Sequence, residues 1–493
     1  MSNTQASIKK NFIMNVILTM SSFIFPFITF PYISRILLPT GTGKIQFVTS
    51  VVTYFNMFAQ LGIPTYGIRA IAKVRDDKQE LTKVSQELLF INIIMSIIAY
   101  IALFFSVIFI PRLNNEKTLY VIIGSTIFLS AIGMEWMYKG LEKYTYITIR
   151  SILFKIIAMI AMFILVHKQE DYEIYGAISV FASSASNILN FINARKYINL
   201  KPIGNYDFKR HLKPIGTFFA MACATTIYTS LDSVMLGFIK NDYEVGIYNA
   251  AIKVKNVLVS LVTSLGAVLL PRASYYVENN MMDDFKKVSS KALNFTFLVS
   301  IPLTIYFIIY ARQGILLLSG KEYINSILPM QIVMPTLIFI GITNILGIQI
   351  LIPLGKEKIV LYSVIAGAIT DLIINSLLIP KYGAIGAAIG TLVAELVVLI
   401  YQYISLRNTM SEEFKNIHYK NILIATILGT IISLLSLKLN INTFTNENIN
   451  IFITLFITAI CFFVTYGLTL LLFKEEMIIE IINMLYQKVK NNK

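Results

Sequence analysis

Eight ionisable side chains stand inside stretches that are otherwise hydrocarbon: Glu135, Arg150, Lys155, Asp232, Lys253, Lys255, Asp371 and Glu395. Four are basic and four acidic, so the set can neutralise itself by pairing. A charge kept in an apolar surround is costly and marks a binding or transport role. Asp232 and Lys253 each lie seven residues from the near ends of two consecutive apolar stretches, joined by a turn at Lys240 to Glu244. At a helical rise of 1.5 Å per residue both sit roughly 10 Å deep, so an ion pair between them is geometrically reasonable. Glu135 and Arg150 stand within about two turns of the ends of their stretches, where either snorkelling or an interior role accommodates them.

Polar residues surround these charges in a helical pattern. Asn249, Lys253, Asn256, Ser260 and Ser264 recur at steps of four, three, four and four, which places them on one face. Gln46, Thr49, Thr53, Asn56 and Gln60 recur at three, four, three and four. Two such rows exceed what helix-to-helix hydrogen bonding needs, and they predict a hydrated path. Lys255 points off that face and is read either as a second wall or as a snorkelling side chain. Lysines and Arg35 supply charge for phosphate, and the amides and hydroxyls suit sugar hydroxyls. A site for hydrophobic cations needs unpaired acids and aromatic walls instead. Asp232, Asp371 and Glu395 are candidates for a coupling cation.

Other chemistry is excluded. Thr40 to Ile45 mimics a phosphate loop, but Leu38 stands where its first glycine belongs and Ile45 where its Ser or Thr belongs. Cys223 and Cys461 are isolated in apolar runs and read as small core residues. His167, His211 and His418 are scattered among connectors and read as solvated. With no nucleophile, histidine and carboxylate constellation, the chain is not read as an enzyme, and neither a metal nor a cofactor is expected.

The elements that position these groups follow from composition. The chain has 493 residues, 56% apolar and 14% charged, with a mean hydropathy of +0.69, whereas soluble domains carry about 45–50% and about 25%. Fourteen windows are long enough to span a bilayer, among them 11–34, 42–62, 174–194 and 327–350. Lys9 and Lys10 before the first window read as the flank of a retained helix, not a cleaved signal. Connectors on the amino-terminal side hold 28 Lys and Arg against 10 on the other, which places both termini in the cytoplasm. The net charge of +15 is therefore a topology signal and not a nucleic-acid footprint.

Leu61 to Glu87 resembles Leu265 to Lys291, and Tyr175 to Ile178 resembles Tyr382 to Ile385. The offset of six windows predicts a parallel repeat: lobes at 1–200 and 201–410, two extra helices within 411–493, and a substrate site between the halves. Pro26, Pro31, Pro302, Pro329, Pro335 and Pro353 predict bends.

Pro31 to Leu37 (PYISRIL), Gln60-Leu61-Gly62 followed by Arg69, Leu231 to Gly237 (LDSVMLG), and Val245 to Ala251 (VGIYNAA) followed by Lys253 resemble the Wzx-type flippases of O-antigen and capsule repeat units. That family belongs to the multidrug, oligosaccharidyl-lipid and polysaccharide exporter superfamily. The resemblance implies an all-α integral membrane protein of about fourteen helices, a V-shaped pair of lobes, and a cationic cavity lined by helices 1, 2, 7 and 8. It implies an undecaprenyl-diphosphate-linked oligosaccharide as substrate, turned to the outer leaflet of a bacterial plasma membrane. Carried over by position, Arg35, Lys253 and Lys255 become diphosphate or sugar contacts, and Asn56, Gln60, Asn249 and Asn256 sugar-facing residues. Membrane lipids, a polysaccharide polymerase and chain-length machinery are the implied partners. A cation-coupled multidrug exporter and a peptidoglycan-precursor flippase are the alternatives, the second disfavoured because the first helix carries no charge before Arg35.

Overall fold

Backbone groups in lipid find no partner but the chain itself, and long runs of Ile, Leu, Phe and Val answer that with helices. The computed structural model describes residues 2–407, 419–439, 445–475 and 477–479, and among the described residues there is no strand. His418 lies outside them. The first helix, α1 (Ser2–Gln60), is interrupted at one residue, Leu38 (φ 58°, ψ 177°). Leu38 precedes Pro39, whose ring disfavours helical geometry in the residue before it. Pro26 and Pro31 sit inside the same helix without such a break.

There follow α2 (Ile63–Val74), α3 (Lys78–Phe109), α4 (Pro111–Asn114), α5 (Lys117–Gly133), α6 (Glu135–Gly140), α7 (Tyr144–Leu165), α8 (Tyr172–Val180), α9 (Asn187–Ala194), α10 (Lys209–Ile239) and α11 (Asp242–Glu278). Then come α12 (Met282–Ile309), α13 (Ala311–Leu318), α14 (Ile327–Val333), α15 (Thr336–Asn344), α16 (Glu357–Tyr382), α17 (Ala384–Leu406), α18 (Tyr419–Ser436) and α19 (Glu447–Leu472). Among the described residues eleven helices are long and apolar enough to cross a membrane, or twelve with the pair Lys321–Val333 and Thr336–Leu351, bent by 46°. The difference from fourteen windows has two local causes. Windows 11–34 and 42–62 share α1, separated by Leu38. Window 174–194 is divided among α8, a π-helical turn at Phe181–Ala185 and α9.

Packing divides the chain into two compact units, Met1–Asn249 and Ala250–Lys493. In the first, the arms of α1 run in opposite directions. Tyr32 donates to the carbonyl of Val166 beyond the end of α7 (2.9 Å), and Thr148 near the start of α7 donates to that of Met14 (2.9 Å). Past the break, Lys44 pairs with Glu116 just ahead of α5 (2.5 Å), and Asn92 of α3 donates to the carbonyl of Ala59 (3.0 Å). Trp136, Met137 and Tyr138 of α6 pack with Ile63 and Ile71 of α2 and Leu88 of α3 to form the core. On the connector after α7 Asp171 accepts backbone N–H groups from His167 and Lys168, which holds its carboxyl below the usual range. In the second unit Phe285 and Leu293 of α12 pack with Ile342 and Leu346. The α18–α19 pair docks on α12 where Tyr306 donates to Leu455 (2.9 Å) and Tyr466 to Leu298 (2.7 Å).

The connector leading into α10 is bonded to α3 along its length. Gln86 donates to the carbonyls of Asn199 (2.6 Å) and Lys201 (2.8 Å) and accepts from Tyr206 (2.7 Å). Beside it Glu87, 0% exposed, accepts from the Asp207 amide (2.7 Å), from Arg210 Nε (3.1 Å) and Nη2 (2.5 Å), and from His211 Nε2 (2.8 Å). Arg210 also pairs with Glu80. The carboxylate holds a proton on Nε2, and the Tyr66 hydroxyl lies 2.7 Å from Nδ1 on the other side of the ring. His211 is 2% exposed, which corrects its reading as a solvated residue: four donors converging on one buried carboxylate draw the ring inward. His167 is exposed, as read.

Removing Glu87 leaves the Asp207 amide, His211 and part of Arg210 without their acceptor. Glu87→Ala is therefore expected to cost about 1–3 kcal/mol, read as a lower thermal unfolding midpoint of the purified protein. An unshifted midpoint would show that the connector does not depend on this carboxylate.

Candidate functional site

The stretch of α1 just past its break meets the end of α10 and the start of α11, the contact with α11 being backbone to backbone. A Cβ added at Gly43 would lie 1.7 Å from the Asp242 carbonyl oxygen, and one at Gly246 would lie 2.0 Å from that of Pro39. Gly43 of the failed phosphate-loop string thus serves a helix crossing, and the neighbouring Lys44 pairs with Glu116. Arg112 of α4 secures the α10–α11 turn. It donates to the Gly237 carbonyl (2.8 Å), pairs with Asp242 (2.5 Å) and lies over the Phe47 ring (4.6 Å).

This crossing positions the predicted residues. Asp232 is buried and accepts a hydrogen bond from Tyr248, whose neighbour Asn249 is also buried. Arg35 is exposed on the first arm of α1 and donates to the Pro31 carbonyl (2.5 Å). On the second arm Thr49 is exposed and Gln46, Thr53, Asn56 and Gln60 half-buried, while Phe47, Val48, Val51 and Val52 on the other side are buried. Along α11 Lys253 and Ser260 are half-buried and Asn256 and Ser264 exposed, against buried Val254, Leu258 and Val262. Lys255, 8% exposed, lies with that buried side.

Accessible polar rows backed by buried apolar rows invert the pattern that lipid imposes, so these rows face water. Asn56 Oδ1 and Gln60 Nε2 are themselves shielded from solvent and have no hydrogen-bond partner among the described residues. Depth arithmetic separates the residues. Counted from Leu38, Arg35 lies about 5 Å and Gln60 about 33 Å along their arms; counted from Asp242, Asn249 lies about 10 Å and Asn256 about 21 Å down α11. Along each helix the polar residues are spread over its length and do not gather at one level.

In the second unit Asp371 and Asn375 of α16 and Thr391 and Glu395 of α17 are buried. Asn375 and Asp371 lie against Gly390 of α17, whose added Cβ would lie 2.1 Å from Asn375 Oδ1 and 2.9 Å from Asp371 Oδ1. No cluster of three or more His, Cys, Asp or Glu able to hold a metal occurs among the described residues. Arg150 is buried, donates to the Ser186 carbonyl (2.9 Å) and approaches Glu135 (4.0 Å), which decides for its interior role. Cys223 and Cys461 are half-buried free thiols. The sequence reading missed Thr225 and Thr229 of α10, both exposed and one turn apart; their four-residue spacing ahead of Asp232 was the available signal.

Helices that span a membrane and present accessible polar rows define a polytopic transporter. The fold agrees. A solved structure described as "Lipid II flippase MurJ, inward closed conformation" matches with a TM-score of 0.72 at 16% identity, over 93% of this chain and 99% of that one. The "Inward-facing conformation of a multidrug resistance MATE family transporter of the MOP superfamily" matches with a TM-score of 0.61 at 13% identity, over 79% and 96%. In sequence, a "Putative O-antigen transporter" of Escherichia coli (strain K12) is 25% identical over 410 residues, 83% of this chain and 99% of that protein. The family described as "Polysaccharide biosynthesis protein" matches residues 8–277, and "MatE" matches residues 218–377. The chain belongs to the polysaccharide biosynthesis protein family, the Wzx-type branch of the multidrug, oligosaccharidyl-lipid and polysaccharide exporter superfamily.

A side chain at the glycine crossing has no room. Gly246→Val is expected to destabilise the protein by about 1–3 kcal/mol or more, lowering its unfolding midpoint. A midpoint equal to that of the parent protein would mean that α1 and α11 do not touch there.

Proposed function

We propose that the protein turns undecaprenyl-diphosphate-linked oligosaccharide repeat units from the inner to the outer leaflet of a bacterial plasma membrane, by alternating access, for surface polysaccharide assembly. The observation that carries this reading is the pair of accessible polar rows on α1 and α11, within a chain of the polysaccharide biosynthesis family. Amides and hydroxyls spaced along a path can hand a sugar from one set of hydrogen bonds to the next without a deep trap. Arg35, Lys253 and Lys255 supply charge for the diphosphate, and Asn56, Gln60, Asn249 and Asn256 contact sugar. Arg35 is the one basic residue of α1 between Lys10 and Lys44, which suits a sugar repeat better than the peptidoglycan precursor.

Residues 1–200 and 201–410 act as the two lobes, with 411–493 an appended helical pair. The excess of basic residues on the amino-terminal side supports cytoplasmic termini. A polymerase and chain-length machinery take up the product on the outer side. Asp232, Asp371 and Glu395 couple the cycle to a cation; the burial of the last two beside Asn375 and Thr391 supports that role.

Lys253→Ala and Asn249→Ala are each expected to reach the membrane at normal levels and to abolish surface polymer in a producing strain. Normal polymer in both removes the site assignment. A deletion strain with intact polymer and raised drug sensitivity selects the multidrug-exporter reading instead. In proteoliposomes Asp371→Asn is expected to make transport independent of the cation gradient; undiminished gradient dependence excludes Asp371 from coupling.

A further inference from the structure

We propose that Lys155 is an anion seat at mid-membrane, on which the diphosphate of the lipid-linked substrate rests as it passes the inner arm of α1. The proposal builds on the flippase reading above. Lys155 is the twelfth residue of α7, about 16 Å from its cytoplasmic start. Ile149, Leu153, Ile156, Ile160 and Ile164 form the exposed, lipid-suited face of that helix. Lys155 points the other way, to α1, where its Nζ lies 2.8 Å from Ser21 Oγ and 3.0 Å from Ser22 Oγ.

The protons of this cluster can be counted. Ser21 and Ser22 each donate their own proton to the Leu18 carbonyl (2.7 and 3.3 Å), so both meet the ammonium as acceptors. An ammonium has three donors. Two are used, and among the described residues the third has no acceptor and no carboxylate stands within ion-pair distance of Nζ. Three other cations in this unit have carboxylate partners: Lys44 with Glu116, Arg112 with Asp242, and Lys139 with Glu135 (2.8 Å). Lys155 alone of these is met only by neutral hydroxyls, an arrangement whose missing component is an anion.

Its position gives that anion access. On the inner arm of α1 Asn15, Thr19 and Ser22 form one exposed row, and Ile13, Ile17 and Ile24 form an exposed row opposite. The isoleucine row suits lipid, so the polar row faces water or head groups. Ser22 belongs to that row and touches Lys155, which places the ammonium at its edge. A compact point charge with one unused donor suits a phosphate oxygen.

A simple staple between α1 and α7 makes the opposite predictions. A staple needs hydrogen bonds, whereas a seat needs the positive charge and needs it vacant. The test compares wild-type protein with Lys155→Gln, Lys155→Arg and Ser22→Asp for binding of undecaprenyl diphosphate, by native mass spectrometry, with uncharged undecaprenol as control. Lys155→Gln is expected to weaken diphosphate binding about tenfold or more, leaving undecaprenol unchanged, and Lys155→Arg to retain it. Ser22→Asp pairs with Lys155, which strengthens a staple but fills a seat; it is expected to raise the unfolding midpoint and abolish diphosphate binding. Wild-type binding in Ser22→Asp, or in Lys155→Gln, overturns the proposal. A wild-type protein that neither binds undecaprenyl diphosphate nor supports surface polymer overturns the flippase reading itself, a result distinct from failure of Lys155 alone.

Discussion

A charged or polar group moved out of water must recover its lost hydration from fixed partners, and most of the architecture of this chain follows from that constraint. Glu87 meets it with four donors supplied by Asp207, Arg210 and His211. Those same bonds decide where α10 begins. From that start α10 reaches a far end which Arg112 holds through the Gly237 carbonyl and Asp242. Both ends of the helix that carries Asp232 are thus set by charged groups satisfied elsewhere in the same unit. Burial of apolar surface adds little direction here, because lipid tails are as apolar as the helices they touch.

The periodic features were legible in the sequence. The rows on α1 and α11 repeat at three and four, and the accessibility of Thr49, Asn256 and Ser264 follows that repeat. Lys255 falls off the row in the sequence and on the buried side in space. What was not legible depends on single residues or on partners distant in the chain. Leu38 breaks α1 because of Pro39, while Pro26 and Pro31 nearby produce no break, and no local pattern separates the three prolines. His211 and Glu87 lie 124 residues apart, each in a connector that composition marks as solvated. The π turn at Phe181–Ala185 in window 174–194 is likewise not marked by any periodicity of the sequence.

The candidate site was legible as a set of residue types and less so as a geometry. Grouping Arg35, Asn56, Gln60 and Asn249 on chemistry suggests one pocket, yet their positions along the helices spread them through the thickness of a bilayer. For an amphiphile whose head must cross the whole membrane, distributed contacts have a physical advantage over a concentrated site. Each step then exchanges a few hydrogen bonds for a few others, and no intermediate is bound so tightly that release becomes slow.

The bonds from Glu87 to Asp207, Arg210 and His211 also have a consequence for biosynthesis. The partners of this carboxylate are made 120 to 124 residues after it. At about 5–20 residues per second the nascent chain spends roughly 6–25 s with α3 synthesised and Glu87 unmatched. During that interval the carboxylate must stay in water, so α3 cannot take its final depth until α10 begins to emerge. The first half of the protein is inserted early and finished late.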